Sequence, residues 1–252
     1  MEFQRIDEVR TTDGKPVPAY LFLPEKPVGG AALCHGYGGS KEQMLGLGAR
    51  LAEAEVIALC FDLRGHGENP APLDGRMLDD FEAAIAYLRR YGQVAAIGHS
   101  LGGRLALMTS ADLVAAISPA VVKRPSEEGR QMLLHFGSTT VKASHPAQIL
   151  ELLRELPTVP KTEKTKLLIY AKGDVPSLIE GVLGLKDVLP LVELLEITTH
   201  QHAEAPLSQT ILGYLPHWFN HVGLKSNIEL LERVPRWIRD RLIRFEIADV
   251  KR

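Results

Sequence analysis

The fold is indicated first by residues 94–104, Val94-Ala95-Ala96-Ile97-Gly98-His99-Ser100-Leu101-Gly102-Gly103-Arg104. The apolar residues at the start predict a buried strand, and the residues from Leu101 to Ser110 predict a helix. The turn between them has the pattern G-x-S-x-G, in which glycines remove side chains that would collide. A serine in this turn has a strained backbone and an exposed hydroxyl, with the positive end of a helix beside it. Ser100 is therefore the candidate nucleophile.

Outward from this turn, short apolar runs alternate with longer helical patterns. That alternation is typical of an α/β domain with a mostly parallel sheet, which we expect to span residues 1–252 as a single domain. Near the start, residues 3–10 and 18–23 predict an antiparallel hairpin. Ser40 is predicted to cap a helix from Lys41 to about Glu55, and Pro235 to kink or restart the C-terminal helix. The other predicted strands are 29–34, 56–61, 114–117, 166–171 and 191–197.

A glycine-rich turn, His35-Gly36-Tyr37-Gly38-Gly39, follows the predicted strand 29–34. Acyl transfer forms a tetrahedral oxyanion, and one backbone N–H aimed at that oxygen lowers the barrier by about 3 kcal/mol. We expect the N–H groups of Tyr37 and Leu101 to form such an oxyanion hole. The side chain of His35 is expected to be structural.

Two aspartates follow predicted strands and are candidates for an acid that orients a histidine. Asp174 follows the strand 166–171, and Asp62 follows the strand 56–61 with Arg64 nearby as a pairing partner. The chain order serine, acid, histidine is typical of hydrolases that carry this serine turn, and it favours Asp174. Asp62 is expected to fix its own loop.

Three histidines after Asp174 are candidates for the general base. His202 follows the last predicted strand closely and is the first choice, with His200 two residues earlier as an alternative. His221 is the rival, because it precedes the C-terminal amphipathic helix. Choosing His221 requires an insertion of about twenty residues after the last strand, which is uncommon for a structureless connection.

The segment from about 122 to 163 is too long for an ordinary connection between strands, and it is predicted to form a cap or lid. Its apolar residues suit either an acyl chain of a substrate or packing within the lid. They are Met132, Leu133, Leu134 and Phe136.

The composition narrows the class of protein. In 252 residues, 29 basic and 31 acidic residues give a net charge of −2, so no nucleic-acid partner is expected. No apolar run is long enough for a membrane span, and the polar start lacks a signal peptide, so a cytoplasmic location is expected. Cys34 and Cys60 lie in apolar runs and indicate buried thiols. Metal and dinucleotide motifs are missing, so we expect neither a metal nor a cofactor.

These motifs resemble those of the α/β-hydrolase superfamily, in particular its branch of serine aminopeptidases, monoacylglycerol lipases and carboxylesterases. The resemblance lies in residues 35–40, 62–67, 98–103 and 173–176. It implies an eight-stranded sheet with helices on both faces and a lid between strands six and seven. It also implies that Ser100 is the nucleophile and Asp174 the acid. The Gly-x-Gly-His ending that is usual around the base is absent.

The sequence therefore predicts a serine hydrolase that cleaves a small-molecule carboxylic ester through an acyl-enzyme, with Ser100, His202 and Asp174 as a triad. Two alternatives stay open at this point. One is a hydrolase-like protein that binds a small ligand without turning it over, which the unusual histidine region favours. The other is a cofactor-free acyltransferase.

Overall fold

The computed structural model describes residues 1–122, 125–198 and 216–250. The strands are β1 (Glu2–Ile6), β2 (Ala19–Leu23), β3 (Gly30–Cys34), β4 (Ile57–Phe61), β5 (Val94–His99), β6 (Leu113–Ile117), β7 (Thr165–Ala171) and β8 (Val192–Ile197). The helices are α1 (Leu45–Glu53), α2 (Met77–Leu88), α3 (Leu101–Ala106), α4 (Glu127–Thr139), α5 (Gln148–Glu155), α6 (Pro176–Val188), α7 (Pro216–Gly223) and α8 (Ile228–Val250).

In this part of the chain, eight strands form one sheet in the order β1-β2-β4-β3-β5-β6-β7-β8. β2 is antiparallel to both β1 and β4, and the pairings from β4 to β8 are parallel. The predicted fold class, an eight-stranded mostly parallel sheet with helices on both faces, is confirmed.

The central strands β3, β4, β5 and β6 are buried along their whole length, as expected when helices cover both faces of a parallel sheet. One layer of the core contains side chains of α1 and α8, such as Leu51 and Ile238. The opposite layer contains side chains of α2, α3 and α6, such as Phe81, Leu105 and Val182.

The polar residues singled out in the sequence gather at one edge of this sheet. β3, β4 and β5 end next to each other, since Cys34 pairs with both Phe61 and Gly98. β6 and β7 end at the same edge, where Ser118 and Asp174 follow them. Parallel sheets place binding sites at the carboxyl ends of their strands, so this edge is where a site is expected.

Two local predictions need correction. Ser40 makes no side-chain capping hydrogen bond, and the chain there first forms a 3₁₀ turn, Lys41–Met44. The N–H of Lys41 donates instead to Asp62 Oδ1 at 2.7 Å, so a distant carboxylate does the capping. Of the two outcomes predicted for Pro235, a kink or a restart, the restart does not occur, because Pro235 lies inside α8 and the helix continues past it to Val250.

The segment predicted as a lid contains α4 and α5, which lie between β6 and β7 in the chain. α5 lies within residues 146–156, which the sequence predicts as a helix, whereas α4 was not predicted. Among the described residues, no helix is long and apolar enough to cross a membrane.

Candidate active site

Ser100 lies at the turn between β5 and α3 with a strained backbone, φ 53° and ψ −113°. The sharp turn is fixed by neighbouring strands. The N–H of Ser100 donates to the carbonyl of Ile117 at 2.8 Å, and its own carbonyl accepts from the N–H of Ala120 at 3.0 Å. A residue held this way in a sparsely populated region of backbone space is a frequent property of active sites. The strain is the one that the G-x-S-x-G pattern predicts.

The two glycines of the pattern are required by close backbone approach. A Cβ at Gly98 would lie 2.1 Å from the carbonyl oxygen of Gly102, and one at Gly102 would lie 2.5 Å from the carbonyl oxygen of His35. Neither clash involves a flexible side chain, so any larger residue would displace the turn. The pattern therefore also sets the distance between α3 and the turn after β3.

That second turn, Gly36 to Gly39, closes with a hydrogen bond from the N–H of Gly39 to the carbonyl of Gly36 at 3.0 Å. Gly38 has a φ of +78°, and a Cβ there would lie 2.5 Å from the ring of Phe136 in α4. Tyr37 lines the same cavity as Ser100 and Leu101. The N–H of Leu101 belongs to the first turn of α3, where N–H groups have no partner within the helix. Tyr37 and Leu101, the two residues predicted to supply donors, therefore line the same cavity as the serine.

Asp174 is buried just after β7, and both of its oxygens accept hydrogen bonds. Oδ1 accepts from the N–H of Val175 at 2.7 Å and faces Nδ1 of His221 at 3.0 Å. Oδ2 accepts from the hydroxyl of Ser118. Three donors thus surround the carboxylate, and hydrogen bonds to the charged form stabilise it.

Of the candidate bases, the structure brings His221 onto Asp174. His221 lies in α7, is buried, and lines the cavity together with Ser100. The first choice from sequence, His202, and its alternative, His200, lie outside the described residues. The rival that required a long insertion after β8 is the histidine that the carboxylate contacts.

His99 and Ser118 contact this constellation but were not predicted to do so. Nε2 of His99 lies 2.9 Å from the carbonyl oxygen of His221, and the two rings lie 4.7 Å apart between centroids. Burial lowers the pKa of His99 well below its usual value, so the ring is neutral and its Nε2–H donates. Ser118 has a φ of 42° directly after β6, and its position at a strand end was the available signal.

Ser100, Tyr37, Leu101 and His221 line a cavity of about 50 Å³ whose other walls are mainly apolar. α4 contributes Leu133, and α5 contributes Ile149 and Leu153, so the segment between β6 and β7 forms part of the wall of this cavity. Of the apolar residues singled out in the sequence, Leu133 lines this cavity and Phe136 packs against the glycine turn.

The sequence profile of the alpha/beta hydrolase family matches residues 32–246, which is most of the chain and includes every element of this site. The chain belongs to the alpha/beta hydrolase family. Among curated proteins, none matches this alpha/beta hydrolase in sequence.

Solved structures of esterases are similar to this alpha/beta hydrolase in fold. An esterase from Pyrobaculum calidifontis superposes with a TM-score of 0.66 at 18% identity, over 96% of this chain and 86% of the esterase. An esterase from Pyrococcus furiosus gives 0.58 at 20% identity, over 79% and 82%. The esterase domain of a Rhodothermus marinus protein gives 0.60 at 16% identity, over 95% and 99%.

The loop after β4 in this alpha/beta hydrolase is held by buried ion pairs. Asp62 Oδ2 lies 2.8 Å from Nζ of Lys41, and both side chains are inaccessible to solvent. Arg64, predicted as the partner of Asp62, pairs instead with Asp80 at 2.9 Å and with Asp74 at 2.8 Å. These pairs hold the loop between β4 and α2 in place.

Within residues 1–122, 125–198 and 216–250, no group of three or more histidine, cysteine, aspartate or glutamate side chains is placed to hold a metal ion. Cys34 and Cys60 are both free and buried, and burial raises the pKa of each thiol.

Proposed function

We propose that this alpha/beta hydrolase cleaves carboxylic esters through an acyl-enzyme, with Ser100 as nucleophile, His221 as general base and Asp174 as the orienting acid. The observation that carries the proposal is the 3.0 Å contact between His221 Nδ1 and Asp174 Oδ1, in a cavity that a strained Ser100 also lines. A buried carboxylate, a histidine bonded to it and an exposed serine hydroxyl are the parts of a serine-hydrolase triad.

The choice of His221 over His202 follows from the occupancy of Asp174. Its Oδ1 is engaged by His221 and by the N–H of Val175, and its Oδ2 by Ser118. A carboxylate with these partners has little room for a second imidazole in its plane.

In the proposed reaction, Ser100 Oγ attacks the ester carbonyl carbon while His221 Nε2 takes the hydroxyl proton. Asp174 accepts the Nδ1–H bond throughout, which fixes the tautomer and stabilises the imidazolium. The oxyanion accepts hydrogen bonds from the N–H groups of Tyr37 and Leu101. Collapse of the tetrahedral intermediate breaks the ester bond, and the alcohol leaves with the proton from His221.

Water then attacks the acyl-enzyme and gives its proton to His221. Collapse of the second oxyanion releases the carboxylic acid and returns the proton to Ser100. The helices α4 and α5, acting as a cap, restrict access to the cavity and exclude bulk water from the reacting centre.

The fold shared with the three esterases supports the ester class. Fold alone leaves the reaction open, so the chemistry is argued from the site. The apolar walls around Ser100 suit an uncharged acyl or alkyl group. An acyltransferase would differ in its products. Its acyl-enzyme would react with an alcohol or amine acceptor, and the products would contain the transferred acyl group in place of the free acid.

The test is labelling with a fluorophosphonate, followed by peptide mapping, beside turnover of p-nitrophenyl acetate. Wild type should carry the label on Ser100, and Ser100→Ala should lose both label and turnover. His221→Ala should lose turnover by about 10³-fold or more, whereas the matched variant His202→Ala should resemble wild type. Labelling at another residue, or full turnover by Ser100→Ala, would overturn the proposal.

A further inference from the structure

A second groove adjoins the small cavity at Ser100. It has a volume of about 780 Å³ and shares two wall residues, Val122 and Leu153, with that cavity. Its walls are the residues after β6, the C-terminal half of α5 with residues 156–161, and the last turns of α6. The two spaces are therefore neighbours that meet at one pair of side chains.

The volumes of the two spaces differ by more than tenfold. Pockets that bury small molecules in proteins usually measure about 300 to 1,000 Å³. The cavity at Ser100, about 50 Å³, is far below that range, whereas the groove is within it. A substrate with its ester at Ser100 has room there for a short group only, and the adjoining groove offers space for the remainder past Val122 and Leu153.

The groove combines apolar side chains with an excess of positive charge. Arg104, Arg154 and Lys161 line it, and no aspartate or glutamate is among its described lining residues. None of these three cations forms an ion pair within the residues that the structure describes. The apolar lining includes Val121, Leu156, Val159, Leu185, Val188 and Leu189.

Arg104 distinguishes this groove from an ordinary basic surface. The residue is only 8% exposed, and its guanidinium donates to the carbonyls of Leu153 at 3.2 Å and Leu156 at 3.1 Å. Buried cations are normally paired with anions, because desolvation of an unpaired charge is costly. A guanidinium carries five N–H donors, so two carbonyl bonds leave donors for an anion.

We propose that the groove binds the anionic end of the substrate, so that this enzyme prefers esters whose apolar chain ends in a carboxylate or phosphate. The inference rests on the proposed esterase function, because the ester is placed at Ser100. The apolar side chains would cover the chain of the substrate, and Arg104, Arg154 and Lys161 would face its charged end. Neutral lipids lack the group that these cations recognise.

The first experiment measures binding without turnover, by titration calorimetry on Ser100→Ala with octanoate, octyl phosphate and octanol. Both anions should bind more tightly than octanol, and the tighter of the two identifies the head group. The double variant Arg154→Gln/Lys161→Gln should weaken the binding of the anions about fivefold, since two exposed charges are lost, and leave octanol unchanged. Raising the salt from 0.05 to 1 M should have the same selective effect.

The matched control is Lys186→Gln, which removes an exposed cation of α6 that does not line the groove. It should bind all three probes as the parent does. Anions that bind no better than octanol, or a loss that is equal for Lys186→Gln and the double variant, would overturn the proposal.

Labelling of Ser100 and binding of anions are separate measurements, so they test the esterase proposal and the groove proposal separately. Fluorophosphonate labelling of Ser100 without any preference for anions would overturn the groove assignment alone. Charge-dependent binding of octanoate or octyl phosphate without labelling of Ser100 would overturn the esterase assignment and leave a binding groove.

Discussion

Two buried aspartates lie at the carboxyl edge of the same sheet, and each has a buried histidine close by. Asp62 follows β4 with His35 Nε2 at 3.9 Å, and Asp174 follows β7 with His221 Nδ1 at 3.0 Å. Both aspartates follow a strand at this edge, yet only Asp174 forms a hydrogen bond with its histidine. The difference lies in the other partners of each carboxylate.

Asp62 is satisfied without its histidine. Nζ of Lys41 and the N–H of Glu68 donate to Oδ2 at 2.8 and 2.9 Å, and the N–H of Lys41 donates to Oδ1. His35 is engaged elsewhere, because its Nδ1 donates to the carbonyl of Gly36 and its Nε2 accepts from the N–H of Leu63. Asp62 therefore stabilises a loop, and His35 is locked as a neutral ring.

Asp174 has no lysine or arginine partner within the described residues, and its donors are a backbone N–H, a hydroxyl and an imidazole. A carboxylate whose charge is not already neutralised can stabilise a histidine that becomes positive during a reaction. The comparison teaches that the charge next to the aspartate separates a structural carboxylate from one suited to catalysis.

Asp174→Asn should produce the largest effect. The amide would remove the charge that stabilises the His221 cation and would disturb its tautomer, so kcat for p-nitrophenyl acetate should fall by about 10⁴-fold. The midpoint of thermal unfolding should change little by comparison. The matched control is Asp62→Asn in the same assay. The kcat of the folded Asp62→Asn protein should stay within about tenfold of wild type. Similar losses in both variants would contradict the distinction drawn here.

Asp62→Asn should instead lower stability. It removes the one fully buried anion that pairs with Lys41, whose other partners, Glu42 and Glu68, are half-exposed. The buried lysine would keep only its half-exposed partners, and breaking a buried pair from one side is costly, so the free energy of unfolding should fall by about 3 kcal/mol in urea titrations.

The control for that loss is Glu53→Gln, which breaks an ion pair with Arg50 on the exposed surface of α1. Exposed pairs contribute about 0–1 kcal/mol, so this variant should stay within 1 kcal/mol of wild type. If Glu53→Gln cost as much as Asp62→Asn, burial would not be the reason for the contribution of Asp62.

The buried His35 beside Asp62 should make the folded protein less stable at acidic pH. Burial lowers the pKa of His35 from 6.5 to about 4, so the unfolded chain binds this proton at a higher pH than the folded protein does. Stability from the neutral ring is complete above about pH 6.5 and is lost as the pH falls towards 4. Two further buried histidines, His66 and His99, have lowered pKa values and act in the same direction.

In His35→Gln, the decrease in the free energy of unfolding between pH 6.5 and 4 should be smaller than in wild type by about 2 kcal/mol. The measurement is urea unfolding at a series of pH values. His145→Gln is the control, since His145 is exposed and its loss should leave the slope as it is in wild type. A wild-type slope in His35→Gln would mean that His35 is protonated in the folded protein.

The features that sequence predicted are those encoded in neighbouring residues. The strand, turn and helix around Ser100 depend on contacts within a few positions, such as the backbone approach between Gly98 and Gly102. The choice of Asp174 over Asp62 came from the order of residues in the chain. The structure adds a physical reason for it, the lysine beside Asp62.

The features that sequence missed are contacts between distant segments. His221 meets Asp174 across 47 positions, and Ser118 meets it across 56. Four histidines follow Asp174, three of them candidate bases, and their spacing alone did not reveal which one the fold would bring to the carboxylate. Lys41 was predicted only as the first residue of a helix, and nothing in its neighbouring residues indicates that it is fully buried against Asp62.

Tyr37 contacts the loop of Asp62 and also lines the cavity at Ser100. Removing its hydroxyl should have the smallest effect of these substitutions. Its ring packs edge-on against His66 in the loop of Asp62, with centroids 5.4 Å apart, while its backbone N–H is the proposed donor beside Ser100. Among the described residues its hydroxyl has no hydrogen-bond partner, and burial raises its pKa to about 12.

Tyr37→Phe keeps the ring and the backbone N–H and removes only that buried hydroxyl. Removing an unsatisfied polar group relieves a desolvation cost, so the free energy of unfolding should stay within about 1 kcal/mol of wild type or rise slightly. Because the oxyanion donor is a backbone group, kcat should stay within twofold in the p-nitrophenyl acetate assay. A tenfold loss of kcat at unchanged stability would show that the hydroxyl takes part in catalysis, and the role of Tyr37 would then extend beyond its backbone.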